Sequence, residues 1–250
     1  MEKHNTPVIN VAFNSAAPGA DIEVFERYQK WSTEVYLPMQ MKVIGLKGID
    51  FYHVIRENLE YPVVGVIYHW ENLQAWETFP NSPKGAAISQ EAAVWVKRGV
   101  RDPIWSVVYE LIKSYRSLPL SSTDKPDTRI ENAPVMSLEA FRLSPEDKEK
   151  YVNWFTEYGY SSFIPLFVRL PGFKGYDWYK YTGLTRSQDV REHEYPKYLS
   201  IIYFENTQAF DNFVKSPELA AFFKVMRSVF PRSLRYGWYV QYQLVQSWRK

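Results

Sequence analysis

Few side chains in this 250-residue sequence could move a proton near neutral pH, and two histidines lead them. His53 and His69 each lie in a run of aromatic and β-branched residues that reads as a strand, Ile49 to Ile55 and Val63 to Trp70. An unperturbed imidazole titrates close to neutrality, so either could serve as a general base. Strand alternation puts His53 on one face with Phe51 and Ile55, and His69 on one face with Ile67, opposite Tyr68 and Trp70. Parity does not say which face lines a cavity and which lies beneath helices, so a satisfied structural role stands beside the catalytic one. Flat side chains are abundant, with 9 Trp, 19 Tyr and 15 Phe. Tyr52, Trp105, Tyr109, Tyr179 and Trp238 are candidates to line an aromatic pocket and offer hydrogen bonds to a ligand. The competing account is that large aromatics fill the core.

Other chemistries find less support. Without cysteine there is no disulfide framework, thiolate metal site or thiol nucleophile. Neither a Gly-x-Ser-x-Gly elbow, a Walker loop nor a paired-glycine dinucleotide fingerprint occurs. His53 and His69 would need a third metal ligand that the sequence does not identify, so no metal and no cofactor is expected. Asp50 and Asp177, each two residues after a glycine, read as turn or edge residues, and Lys47 and Lys174 as solvated. The 30 basic and 28 acidic residues leave a formal charge of +2, too little to draw the chain to nucleic acid or an anionic membrane. Arg227, Arg232 and Arg235, near Phe230 and Tyr236, read as a solvated helix end rather than a nucleic-acid groove. Met1 to Asn10 carries no apolar signal core and no stretch is long enough for a bilayer span, so a soluble cytoplasmic protein is expected.

The elements that position these residues come from a tandem duplication. Pro38, Gly45, Lys47, Gly48, Asp50 and Tyr52 recur 127 residues later as Pro165, Gly172, Lys174, Gly175, Asp177 and Tyr179. Glu71, Asn72, Gln74, Ala75, Phe79, Ser82 and Pro83 recur at a separation of 134, after a polar insertion between Tyr179 and Tyr195. Trp105, Val107, Tyr109, Leu111 and Ser114 match Trp238, Val240, Tyr242, Leu244 and Ser247. Residues repeated in both copies are most simply explained by the fold, and positions where the copies differ say more about function. His53 stands opposite Lys180, and His69 opposite Tyr203. The expected division is a first unit over 1–115, a linker over 116–134 and a second unit over 135–250.

Each unit reads strand, helix, strand, strand, helix, strand. Val8 to Phe13 has the look of a strand buried on both faces, and Val24, Tyr28, Trp31 and Val35 recur at helical spacing, as do Tyr151, Trp154, Phe155 and Tyr158. Ser144 suits an N-cap, with Pro145 at the first helical position and Asp147 completing a capping box. Asn72 and Asn206 are further N-caps, and Ser82-Pro83 and Ser216-Pro217 start another turn. That order is the ferredoxin-like split βαβ. The sheet face away from the helices is apolar in both copies and must be covered. The expected class is therefore α+β: two tandem βαββαβ units packed sheet to sheet as a fused eight-stranded α/β barrel, either filled or holding a small ligand.

Phe163-Ile164-Pro165-Leu166, Leu170-Pro171-Gly172-Phe173, Tyr198-Leu199, Phe204-Glu205 and Ser216-Pro217-Glu218 follow one another in the order of a known group. Across residues 163–223, with a weaker echo over 36–87, the chain resembles the EthD-like branch of the dimeric α/β-barrel superfamily. The resemblance implies the fold more than an activity: relatives include cofactor-free monooxygenases, dehydratases and isomerases of aromatic or polyketide compounds, haem enzymes and members without a role. Members of this branch often carry a cavity-facing histidine just before the Leu-Pro-type motif, where this chain has Tyr36 and Phe163. A chain of this length also resembles the haem-binding chlorite dismutase-like proteins, but only His193, in the polar insertion, is available in the second copy as an axial ligand.

The leading expectation is a cofactor-independent enzyme, or a relative that only binds, taking a mainly apolar aromatic or polyketide-like molecule in the barrel. His53 or His69 would accept the proton, and Tyr52, Trp105, Tyr109, Tyr179 and Trp238 would line the pocket. A non-catalytic scaffold with a filled barrel is the alternative, and a haem protein a further one. A tandem chain can close its own barrel, which leaves a homodimer through outer surfaces open.

Overall fold

The structure is a computed structural model that describes residues 6–55, 63–116, 134–142, 145–185, 196–230 and 235–250, with the backbone alone at 101–105, 116, 140–142, 145, 146, 148 and 235–239. The proposed cap Ser144, the insertion with His193, and Arg232 lie outside the described residues. So do the side chains of Trp105, Trp238, Arg235 and Tyr236.

The first repeat forms β1 (Val8–Ala16), α1 (Ile22–Trp31), α2 (Leu37–Gln40), β2 (Leu46–Val54), β3 (Val64–Trp70), α3 (Leu73–Asn81), α4 (Pro83–Lys97) and β4 (Arg101–Arg116). The second forms β5 (Val135–Arg142), α5 (Pro145–Trp154), α6 (Tyr160–Phe167), β6 (Phe173–Thr185), β7 (Tyr198–Phe204), α7 (Thr207–Val214), α8 (Pro217–Val229) and β8 (Arg235–Arg249). The class is α+β, and the eight strands close into an antiparallel barrel in the order β1-β3-β2-β8-β5-β7-β6-β4.

Two compact units result. Unit 1 comprises Met1–Leu111, Lys180–Tyr195 and Leu244–Lys250, and unit 2 comprises Ile112–Tyr179 and Pro196–Gln243. The far end of β4 thus belongs to the unit built mainly from the second repeat, and the far end of β8 to the unit built mainly from the first.

In unit 1, one face of the sheet presents Val8, Ile49, Phe51, Val64, Val66 and Trp70 to Phe25, Tyr28, Leu37, Trp76, Phe79 and Ile88 of the helices. Burying each such side chain is worth about 1.5–3 kcal/mol. The alternate residues Ile9, Val11, Tyr52 and Ile67 turn to the other face and are buried there. Helix starts agree with the sequence: Asn72 and Asn206 accept from the amides of Ala75 and Ala209, and Ser82 and Ser216 from those of Gly85 and Leu219.

The helix faces depart from simple periodicity. A π-helical turn spans Ser32–Tyr36 in the first repeat and Phe155–Gly159 in the second. This wider turn shifts the helix face, so Val35 and Tyr158 are 43% and 48% exposed instead of facing the core, while Tyr28 and Phe155 remain buried. Gly45 and Gly172 end these helical segments at φ +82° and +77°, and a Cβ on either would stand 2.4 Å from the Cβ of Ala75 or Ala209. That close approach lets their carbonyls accept from Glu71 and Glu205. Lys47 and Lys174 pair with the same two glutamates at 3.2 and 3.5 Å, repeated surface ion pairs worth little individually.

Candidate active site

Asp50 is a buried mid-strand residue of β2, not a turn or edge residue, because three side chains converge on its carboxylate. His69 Nε2, from β3, lies 2.7 Å from Oδ2. Ser247 Oγ donates to Oδ1 at 2.7 Å. Arg249 Nη2 is 2.6 Å from Oδ1 and 2.8 Å from Oδ2, while its Nη1 donates to the Ile49 carbonyl at 3.3 Å. Burial alone would raise the Asp50 pKa, but His69, Arg249 and Ser247 overcome it and lower it to about 2. An ionised carboxylate cannot donate, so His69 carries its proton on Nε2 in the neutral form and keeps Nδ1 as the basic nitrogen. Gly48 leaves room for this clamp, since a Cβ there would stand 2.7 Å from Arg249 Nη1.

Asp177 repeats the arrangement in unit 2. Ser114 Oγ donates at 2.6 Å, and the hydroxyls of Tyr179 and Tyr203 each donate at 3.1 Å. Here too the turn or edge reading is corrected: Asp177 is buried within β6. Ser114 closes the first repeat and serves the aspartate of the second, whereas Ser247 does the reverse.

Of the residues singled out in the sequence, the two histidines fall on opposite faces of the unit 1 sheet. His53 lies on the helix side of β2, its ring 5.4 Å from that of Phe51, and burial lowers its pKa. His69 lies on the opposite face, on the side of Tyr52 and Tyr109. Tyr109 is fully buried, its ring 6.1 Å from Tyr181. Tyr179 is committed to Asp177.

A different constellation occupies unit 2, between its sheet and its helices. A cavity with about 20 Å³ of free volume for a water-sized sphere is lined by Glu139 of β5, Tyr151 of α5, Tyr176 of β6 and Ser200 of β7, together with apolar residues that include Phe155, Phe163 and Phe222. That is room for about one water. Ser137 Oγ donates to Glu139 Oε1 at 3.2 Å, and the hydroxyls of Tyr176 and Ser200 share a 2.6 Å hydrogen bond. The walls are rigid aromatic packing, with Phe155 4.7 Å from Trp178 and Phe163 5.1 Å from Phe222 between ring centres. Burial raises the pKa of Glu139 to about 7, only partly opposed by Ser137. Tyr151 and Tyr176 are pushed up by burial first, and further by neighbouring charges that include Glu139, so both keep their hydroxyl protons.

The first repeat lacks the strand-borne polar groups of this set and keeps the tyrosine. At matching strand positions it carries Ala12, Ile49 and Val66 where the second carries Glu139, Tyr176 and Ser200, while Tyr151 matches the buried Tyr28, since the first helices and their π-turns are offset by 123 residues. The strand registers agree, because Ala12 pairs with Val66 as Glu139 pairs with Ser200. The comparison of copies that singled out His69 also separates Glu139 from Ala12, a signal present in the sequence and not read there.

Haem does not fit this cavity. Unit 2 contains no histidine, and the free volume is that of a water molecule. Among the described residues, no group of three or more His, Cys, Asp or Glu is placed to hold a metal ion, and no helix is long and apolar enough to cross a membrane.

No known family profile matches the chain, and no curated protein matches it in sequence. Solved structures do. A provisionally assigned monooxygenase from Fusobacterium nucleatum subsp. nucleatum superposes with a TM-score of 0.65 over 98% of this chain and 95% of its own, at 9% identity. An anthrone oxidase-like protein gives 0.61 over 99% and 94%, at 11% identity. A variant of the chlorite dismutase from Candidatus Nitrospira defluvii gives 0.52 over 95% and 91%, also at 11%. At such identities the likeness is one of fold.

Proposed function

We propose that this chain is a cofactor-independent proton-transfer enzyme for a small, mainly apolar aromatic molecule, with its active site in the Glu139 cavity of unit 2. The observation that carries the reading is a buried carboxyl group with a pKa of about 7 inside an aromatic wall, at a position where the first repeat has a methyl group. A base poised near neutrality in a water-poor site is the arrangement that general base catalysis favours.

The reaction class is enolisation. Glu139 takes a proton from carbon next to a ketone, the C–H pair becomes the C=C bond of the enolate while the carbonyl π pair moves to the oxygen, and a hydroxyl of the Tyr176–Ser200 pair donates to that oxygen. Return of the proton to the same or another carbon leaves Glu139 as it began, with no oxidant consumed. The free volume is too small for such a ligand as it stands, so its entry requires Phe163 or Phe222 to turn aside. The resemblance to the EthD-like branch and the monooxygenase and oxidase-like names among the structural neighbours agree with an aromatic substrate.

A second reading keeps the base in unit 1, at Nδ1 of His69, and is favoured by the 2.7 Å bond to Asp50 with the imidazole side chain 27% exposed. One experiment separates the two. Small aryl ketones such as 2-indanone are incubated with the protein in D2O, and α-deuteration is followed by NMR. Exchange above background that is lost in Glu139→Gln and kept in His69→Gln supports the first reading. The converse pattern supports the second, and no exchange in a folded wild-type protein removes both.

A further inference from the structure

The wall of the unit 2 cavity is one-sided in charge. Of its thirteen lining residues seven are aromatic, one is a carboxylic acid and none is basic. The lysines nearby are engaged elsewhere: Lys113 Nζ sits 4.8 Å from the centre of the Tyr160 ring and donates to the Thr156 carbonyl, and Lys150 Nζ sits 5.3 Å from the Phe230 ring and donates to the Val229 carbonyl. Among the described residues, ionised Glu139 therefore meets no countercharge in the cavity wall. A buried charge of this kind is costly unless something pairs with it. Ring faces and hydroxyl oxygens are what an organic cation requires from the remaining wall.

We propose that the unit 2 cavity recognises a small organic ammonium ion, a protonated primary amine on a one-ring apolar body, whose nitrogen pairs with the Glu139 carboxylate. The three N–H donors are matched by Glu139 and by the oxygens of Ser200 and Tyr176, and the ring of the ligand packs among Phe155, Phe163 and Phe222. A neutral alcohol of the same shape gains only a hydrogen bond, and a carboxylate meets repulsion from Glu139. This inference rests on the reading of the cavity as a ligand site, and such an amine would compete there with the carbon acid.

Recognition depends on the ionisation of Glu139. The other titratable groups facing it are Tyr151 from α5 and Tyr176 from β6, both protonated throughout, with Tyr160 of α6 acting on Tyr176. The lining residues from β7, α7 and α8, namely Ser200, Ile202, Phe213, Leu219 and Phe222, carry no charge.

The test is isothermal titration calorimetry of the full chain with benzylamine, benzyl alcohol and benzoate at pH 8 and pH 5.5. Benzylamine is expected to bind about tenfold or more tighter than the alcohol at pH 8, with the ratio falling toward one at pH 5.5 and in Glu139→Gln. Benzoate is expected to be the weakest at pH 8. Equal binding of amine and alcohol at pH 8, or tighter binding of benzoate, overturns the charge recognition and leaves the cavity reading standing. Failure of the amine and the alcohol alike overturns both. If Glu139→Gln does not fold, the two pH values on the unaltered chain decide the matter.

Discussion

Glu139 faces Ser200 across the β5–β7 ladder in the register at which Ala12 faces Val66 across β1–β3. The same strand geometry thus holds Ala12, Ile49 and Val66 in one unit and an acid and two hydroxyls, Glu139, Tyr176 and Ser200, in the other, with a buried tyrosine, Tyr28 or Tyr151, on the helix facing each. The duplication supplies its own internal control, since whatever the fold requires at these strand positions is met by Ala12, Ile49 and Val66. Polar groups that burial penalises and the sister copy does without are better explained by use than by stability.

That penalty is measurable. The pKa of Glu139 rises from 4.5 to about 7 on folding, so between those values the folded chain keeps a proton that the unfolded chain has lost. Stability then falls as pH rises through the window, by about 3 kcal/mol in total. Thermal or urea unfolding of wild type and Glu139→Gln should give parallel values below pH 4.5 and a widening advantage for the variant up to pH 7. A pH-independent difference would contradict the buried ionisation.

Asp50 has the opposite sign. Its pKa falls from 3.8 to about 2 in the folded chain, so the stability it supplies is present above pH 3.8 and is lost as pH drops through 2. At pH 7, Asp50→Asn should cost about 2 kcal/mol, because it removes the ionised carboxylate that His69, Ser247 and Arg249 stabilise. Urea titrations at pH 7 and pH 2.5 test this, with the gap between wild type and variant shrinking at the lower pH.

His69→Tyr would give the first repeat the side chain that Tyr203 contributes to Asp177. The variant should fold with a loss of about 1 kcal/mol or less at pH 7, since one hydrogen bond to the aspartate replaces another. Its acid midpoint should move up, because His69 is the largest of the groups that lower the Asp50 pKa. Circular dichroism across an acid titration measures both.

Gly172→Ala combines a positive φ with a Cβ contact of 2.4 Å to Ala209. It should destabilise by about 2 kcal/mol or more. Adding Ala209→Gly should recover the steric part and not the backbone part, which a double-mutant cycle in urea separates.

The duplication, the βαββαβ order, the asparagine and serine caps and the α+β class were all legible from residue types and spacing, because each depends on neighbours within a few positions or on comparison of one copy with the other. Local pattern failed where long-range contacts govern. Asp50 lies two residues after a glycine and looks like a turn residue until Ser247 and Arg249, nearly two hundred residues away, close over it. The helix faces were misjudged at Val35 and Tyr158 because a π-helical turn breaks the 3.6-residue period. His53 and His69 were equivalent in sequence, and only tertiary packing set one behind Phe51 and bound the other to Asp50. The amino-acid order alone determined that the two copies share a fold and differ at particular positions. The tertiary structure decided which differences meet, bringing Glu139, Tyr151, Tyr176 and Ser200 from four separate elements to one cavity, where removal from water turns an ordinary carboxyl group into one that titrates near neutrality.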